Sequence, residues 1–143
     1  MTDTSPETRS VVIERELAHP PEKVWRALTQ PQLIAEWLMK NDFLPEVGRR
    51  FAFPADWGTV ECEVLEVEPN RSLSYSWASR GLDSTVTWTL TPTLTPTGTG
   101  TRLRVEQSGF RPEQQPAYAG AKAGWPRFLA RLEQLLARPD VVP

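Results

Sequence analysis

A chain of 143 residues fits one domain, and a domain of that size takes roughly 70% of its unfolded surface out of water, enough for a core without staples. Hydrophobic residues at 39% and charged residues at 24% are an ordinary globular balance. A formal net charge of −2 argues against a nucleic-acid partner, whose phosphates select a strong basic excess. The single cysteine, Cys62, excludes an internal disulfide and fits a reducing, cytoplasmic setting.

Residues 1–10 read as a polar tail, too polar for a signal peptide, and no later run reaches the length of a membrane span. Residues 11–138 form the expected domain, and 139–143 a C-terminal tail. Val11, Ile13 and Leu17 alternate with Val12, Glu14 and Glu16, which predicts a strand. Pro20-Pro21 ends it and opens a helix with Val24, Trp25 and Leu28 on one face. Gln30-Pro31 starts a second short helix carrying Leu33, Ile34, Trp37 and Leu38. Gly48 turns the chain into a short strand over 49–53 with Phe51 and Phe53.

A long strand is expected over 59–68. Val60, Cys62 and Val64 point one way, but the apolar phase then slips to Leu65 and Val67, which predicts a β-bulge near Val64-Leu65. Pro69-Asn70 is a turn. Leu73, Tyr75 and Trp77 alternate with serines, and Val86, Trp88 and Leu90 with threonines, giving two further strands. The Thr/Pro/Gly stretch over 91–100 reads as a hairpin loop, and Leu103 and Val105 mark the last strand. Trp125, Phe128, Leu129, Leu132, Leu135 and Leu136 then form a helical stripe. Pro126 lies inside it and removes a backbone donor, so the helix is expected to bend or begin anew near Gly124. The order is strand, two short helices, antiparallel strands and a terminal helix: an α+β fold with helices on one sheet face.

Several strings resemble a known family. Arg15 to Leu17, the run from Pro20 to Thr29 (PPEKVWRALT), Pro31 and Trp37 are similar to the opening of proteins related to the activator of the heat-shock protein 90 ATPase. That family lies in the START-like (SRPBCC) superfamily, with the birch pollen allergen, lipid-transfer domains and polyketide cyclases. Gly48 with Phe51, Gly58, Leu73-Tyr75-Trp77, Gly100-Thr101-Leu103, Gly109-Phe110 and Gly124-Trp125 follow in the same order. The resemblance spans residues 11–137. It implies a helix-grip fold, a curved antiparallel sheet wrapped around a long C-terminal helix, with a deep cavity between them. It implies no single function. Full-length eukaryotic activators carry a separate N-terminal domain, whereas only the polar tail precedes the first strand here. Pro126 also departs from the family pattern.

The candidate ligand contacts are Arg15, Trp37, Phe53, Tyr75, Trp77, Trp88, Gln107, Trp125 and Phe128. Arg15 is in phase with Val11, Ile13 and Leu17. It either binds a ligand oxygen or buries its stem and pairs at the surface. The aromatic rings either wall an apolar pocket, with the Tyr75 hydroxyl and the indole N–H groups orienting the ligand, or pack as plain core. Gln107, in phase with Leu103 and Val105, is a pocket contact or a strand-end amide in water. His19, the one histidine, lacks the ligand cluster of a metal site and stands at a helix entry. Cys62 reads as inert core, and Glu61, Glu63, Glu66 and Glu68 as a solvated strand face.

No phosphate loop, dinucleotide fingerprint or nucleophile elbow is present, so neither a cofactor nor a catalytic residue is expected. Three readings follow: a binding protein for a small apolar or amphipathic molecule, a co-chaperone-like protein-interaction domain, and a cyclase- or aromatase-type enzyme. The leading reading expects a cavity walled by Trp77, Trp88, Trp125 and Phe128, with Arg15 or Tyr75 as the main polar contact.

Overall fold

A computed structural model describes residues 8–55, 58–79 and 81–138. Most of the N-terminal tail and the tail at 139–143 lie outside the described residues. Element order is β1 (Arg9–Leu17), α1 (Pro21–Thr29), α2 (Pro31–Trp37), β2 (Arg50–Phe53), β3 (Val60–Glu68), β4 (Ser72–Ser79), β5 (Leu82–Thr95), β6 (Gly98–Phe110) and α3 (Gln115–Leu136). The strands form one antiparallel six-stranded curved sheet in the order β1-β6-β5-β4-β3-β2. The two short helices and α3 cover its apolar face, which is the helix-grip arrangement.

Alternation decides which face is covered. On the inner side lie Val11 and Leu17 of β1, Leu103, Val105 and Gln107 of β6, and Val86, Trp88 and Leu90 of β5. Leu73, Tyr75 and Trp77 of β4, Val60, Cys62 and Val64 of β3, and Phe51 and Phe53 of β2 continue it. The outer side carries polar pairs such as Arg102–Glu16 at 2.7 Å and Arg104–Glu106 at 2.9 Å. Val24, Ala27 and Leu28 of α1, Ile34 and Trp37 of α2, and Trp125, Leu129, Leu132, Leu135 and Leu136 of α3 close the core. Pro21 and Pro31 stand at the first turns of α1 and α2, where the missing N–H has no intrahelical partner to lose.

The bulge in β3 lies where the phase slips. Val64 pairs with Tyr75 and Glu66 with Ser74, which leaves Leu65 unpaired and turned to solvent. A second irregularity joins β1 to β6: Ser10 pairs with Ser108 and Arg9 with Phe110, skipping Gly109 at φ 105°. The skip turns Phe110 inward three residues after Gln107, and the positive φ suits glycine alone.

Two expectations are corrected. Residues 91–100 are not a loop: β5 runs to Thr95, β6 starts at Gly98, and only Pro96-Thr97 turn between them. The sequence lacks apolar alternation there because both faces of this ribbon are largely exposed. Pro92 is tolerated because β4 ends its pairing at Thr89, so nothing on that side needs its N–H. Nor does the terminal helix begin anew: α3 is one unbroken helix with Pro126 inside it. The carbonyl deprived of its donor belongs to Lys122, an exposed residue, so water can take the bond.

Candidate functional site

The inward stripe of α3 changes size along its length. From Trp125 onward it carries Trp125, Leu129, Leu132 and Leu136, all buried. In the preceding turns the same face carries Ala117, Gly120, Ala121 and Gly124. Small side chains on this face leave space beneath the first half of α3, which Tyr118 ties to Phe110 of β6 beside it at 5.6 Å. That space is a partly open cavity of about 680 Å³, bounded by these residues, by Trp77, Ser79 and Leu82 at the β4–β5 end, and by Met39 after α2. A side chain at Gly120 would meet nothing within 4 Å of its Cβ.

Trp77, Gln107, Trp125 and Phe128 border this cavity. The ring of Trp125 lies 5.6 Å from that of Trp77 and 5.8 Å from that of Phe128. Gln107 is 2% exposed and sits on a central strand, opposite Val86 of β5 and Val11 of β1. Its amide orientation is settled by chemistry. The Trp125 Nε1–H, which can only donate, points at one end of the amide at 2.8 Å, so that end is Oε1. The other end, Nε2, donates to Ser84 Oγ at 3.0 Å, and Ser84 donates onward to the Trp77 carbonyl at 2.8 Å. The chain of bonds links helix, sheet and cavity wall. At the rim, Gln114 accepts from the Arg111 N–H at 2.9 Å and donates to the Gly81 carbonyl at 3.1 Å. Glu113, also at the rim, is exposed and paired with Arg111 at 3.1 Å.

The other candidates stand elsewhere. Trp88 is fully buried, donates its Nε1–H to the Tyr75 hydroxyl at 2.9 Å, and packs edge-on against Trp37 at 5.6 Å and Trp125 at 5.5 Å. Trp37 donates to the Ala27 carbonyl at 2.8 Å. Phe53 packs between Phe51 and Trp77. These rings fill the deep interior that a cavity lined by Trp88 would need. Burial pushes the Tyr75 hydroxyl well above its ordinary range, with the Trp88 bond opposing, so Tyr75 stays neutral. Arg15 keeps the predicted phase, but its guanidinium turns to the Glu14 carbonyl at 2.9 Å in an exposed position, away from the cavity. His19 lies 3.3 Å from Lys23 Nζ. Its pKa is lowered by partial burial and then by the Lys23 charge. Among the described residues, no group of three or more His, Cys, Asp or Glu could hold a metal, and no helix is long and apolar enough to cross a membrane.

Met39, Leu82 and the small residues of α3 were absent from the sequence candidates. A readable signal existed for the last group: the helical phase of Trp125 to Leu136, run backwards, lands on Gly124, Ala121, Gly120 and Ala117. An apolar stripe that turns small marks the place where a helix leaves room.

The comparisons agree with this architecture. Protein MLL2253 from Mesorhizobium loti is 62% identical with a TM-score of 0.85, covering 92% of this chain and 99% of that one. CalU16 from Micromonospora echinospora is 27% identical with a TM-score of 0.77, over 93% of this chain and 78% of that one. DynU16, a protein in the dynemicin biosynthetic locus, is 29% identical with a TM-score of 0.75; the match covers 89% of this chain but 46% of DynU16. No curated protein matches. The profile of the family described as Activator of Hsp90 ATPase homolog 1-like protein matches residues 18–137, nearly the whole described domain, and with the helix-grip sheet and terminal helix already in place the chain belongs to that family, within the START-like superfamily.

Proposed function

We propose that this chain is a binding protein for a small hydrophobic or amphipathic molecule, held between the first half of α3 and the β4–β5 end of the sheet. One observation carries the reading: a cavity of about 680 Å³, of ordinary ligand-pocket size, walled by Trp77, Trp125 and Phe128 with one buried amide among them. Three aromatic rings supply apolar area at low entropic cost, and the helix backbone bared at Gly120 and Gly124 lets a ligand approach closely.

The rival readings find less support. An enzyme of the cyclase type needs an acid or base inside the cavity. Glu113 is the only ionisable side chain among the described lining residues, and it sits in water at the rim beside Arg111. A docking domain needs a broad apolar patch. Among the described residues, the large exposed apolar side chains are divided among the β1 edge (Val12), the β3 bulge and the loop before β2 (Leu44, Val47, Leu65) and the hairpin tip (Leu94).

Titration with Nile red, a neutral apolar dye, tests the proposal. The wild type should bind it with a blue-shifted emission. Gly120→Leu should weaken binding by about tenfold or more by filling the cavity. The same change should hold or raise the melting temperature, because leucine recovers roughly 0.8 kcal/mol of helix propensity. A wild type that binds no dye, and that flies without a bound molecule in native mass spectrometry, would sink the reading in favour of docking.

A further inference from the structure

Two N–H donors are left over on the cavity wall. Nε2 of Gln107 carries two hydrogens and spends one on Ser84. Trp77, on the adjoining wall, makes no side-chain hydrogen bond among the described residues, so its Nε1–H is also unspent. The two residues are linked through one serine: Trp77 pairs with Ser84 across β4 and β5 and accepts its hydroxyl at the backbone carbonyl, and Ser84 holds Gln107. The Gln107 Oε1 keeps a second lone pair, its first being taken by Trp125, and the Ser79 hydroxyl on the wall can donate or accept as a ligand requires. No cation is among the described lining residues, and the one carboxylate, Glu113, is at the rim.

We propose that Gln107 and Trp77 form a donor pair that selects the ligand: an uncharged apolar molecule that buries an acceptor oxygen, such as a ketone, aldehyde or ester carbonyl, against the Gln107 Nε2–H and the Trp77 Nε1–H. This rests on the binding reading above and narrows it. A hydrocarbon would leave both donors without a partner once it displaced the water at the cavity floor. A carboxylate would satisfy the donors but bury a charge with no counter-ion among the described lining residues. A carbonyl satisfies them and brings no charge. Trp125 is excluded as a further donor because its N–H is already committed, and that commitment fixes the amide with Nε2 away from Trp125.

Three probes of one shape separate the possibilities: 2-acetylnaphthalene, its hydrocarbon isostere 2-isopropenylnaphthalene, and 2-naphthoate. Calorimetric titration of the wild type should give the ketone an affinity about five- to tenfold above the hydrocarbon, with the carboxylate weakest. Gln107→Met or Trp77→Phe should bring the ketone and hydrocarbon affinities to within about twofold of each other, whatever each change does to the apolar binding common to both. Since Gln107→Met strands the Trp125 N–H and can impair folding, an independent measurement uses the wild type alone. The infrared carbonyl stretch of carbonyl-labelled 2-acetylnaphthalene should fall to lower wavenumber on binding, as it does on accepting a hydrogen bond. Equal affinities for ketone and hydrocarbon, a carboxylate that binds tightest, an unshifted stretch, or a preference that survives both substitutions would overturn the donor pair and leave the binding reading standing. Failure of every probe to bind would overturn both.

Discussion

Tyr75 and Cys62 show how this interior treats ionisable groups. Both lie on the inner sheet face, and neither touches a counter-ion. Burial pushes the Cys62 thiol from an ordinary 9.0 up to about 12, with the negative charges of Asp42 and Glu61 adding to the effect. Such a thiol is a poor nucleophile at neutral pH, in keeping with a core role. The shift also has a thermodynamic sign. A thiol whose folded pKa is raised holds its proton more tightly in the folded state, so its contribution is complete below pH 9 and is lost as pH climbs towards about 12, where the unfolded chain ionises first. Urea denaturation of the wild type should therefore show falling stability across that window. Cys62→Ala should shallow the fall, and the part that remains belongs largely to Tyr75, whose hydroxyl is raised in the same direction. An identical alkaline slope in wild type and Cys62→Ala would refute this account.

At the scale of elements, α3 meets two demands that its sequence states separately. Its second half must pin the helix to the core, and Leu129, Leu132, Leu135 and Leu136 each supply roughly 2 kcal/mol of burial there. Its first half must leave room, and small residues do so. Pro126 stands near the border between the two. A proline in a helix interior removes one hydrogen bond and costs about 3 kcal/mol relative to alanine, yet the helix continues through it. The leucine stripe downstream is what offsets the loss. Pro126→Ala should accordingly raise stability by about 1–3 kcal/mol in urea denaturation, with unchanged or slightly increased helical circular dichroism. A destabilised variant would mean that the proline ring makes packing contacts worth more than the bond it removes.

The same contrast explains which features were legible beforehand. The fold was readable because alternation in β3, β4 and β5 and the leucine stripe are long-period signals, and even the Leu65 bulge appears as a one-residue slip. The Gly109 irregularity escaped because a single glycine between Ser108 and Phe110 changes φ, not hydropathy. The site was legible only in part. In-phase residues divide between core and cavity according to depth, and strand alternation carries no information about depth. Trp77 and Trp88 share one face of adjacent strands, yet one borders the cavity and the other is sealed beneath Trp37 and Trp125. Arg15 shows the companion limit: phase places its Cβ, but a long side chain can still carry its charge back to the surface.

Across the whole molecule, cavity and helix are coupled through local stability. The first turns of α3 bury less apolar surface, because Ala117, Gly120, Ala121 and Gly124 border the cavity and Tyr118 on Phe110 is their one large packing contact, whereas the last turns are locked by leucines against the sheet and α2. Arg138, two residues beyond α3, adds an ion pair to Glu36 of α2 at 2.5 Å. Segments with few buried contacts open more readily than the molecule as a whole. Amides of residues 119–124 should therefore exchange with deuterium far faster than those of 129–136 in the free protein. A ligand in the cavity would supply the packing that small side chains omit, so saturating Nile red should slow exchange in 119–124 while leaving 129–136 almost unchanged. The pattern is diagnostic because a partner docked on the outside would protect the surface it covers and leave the lining turns of α3 open. Uniform slow exchange along the whole of α3 in the free protein would show that the first half is held by something other than its cavity-facing residues, and the coupling argued here would fall.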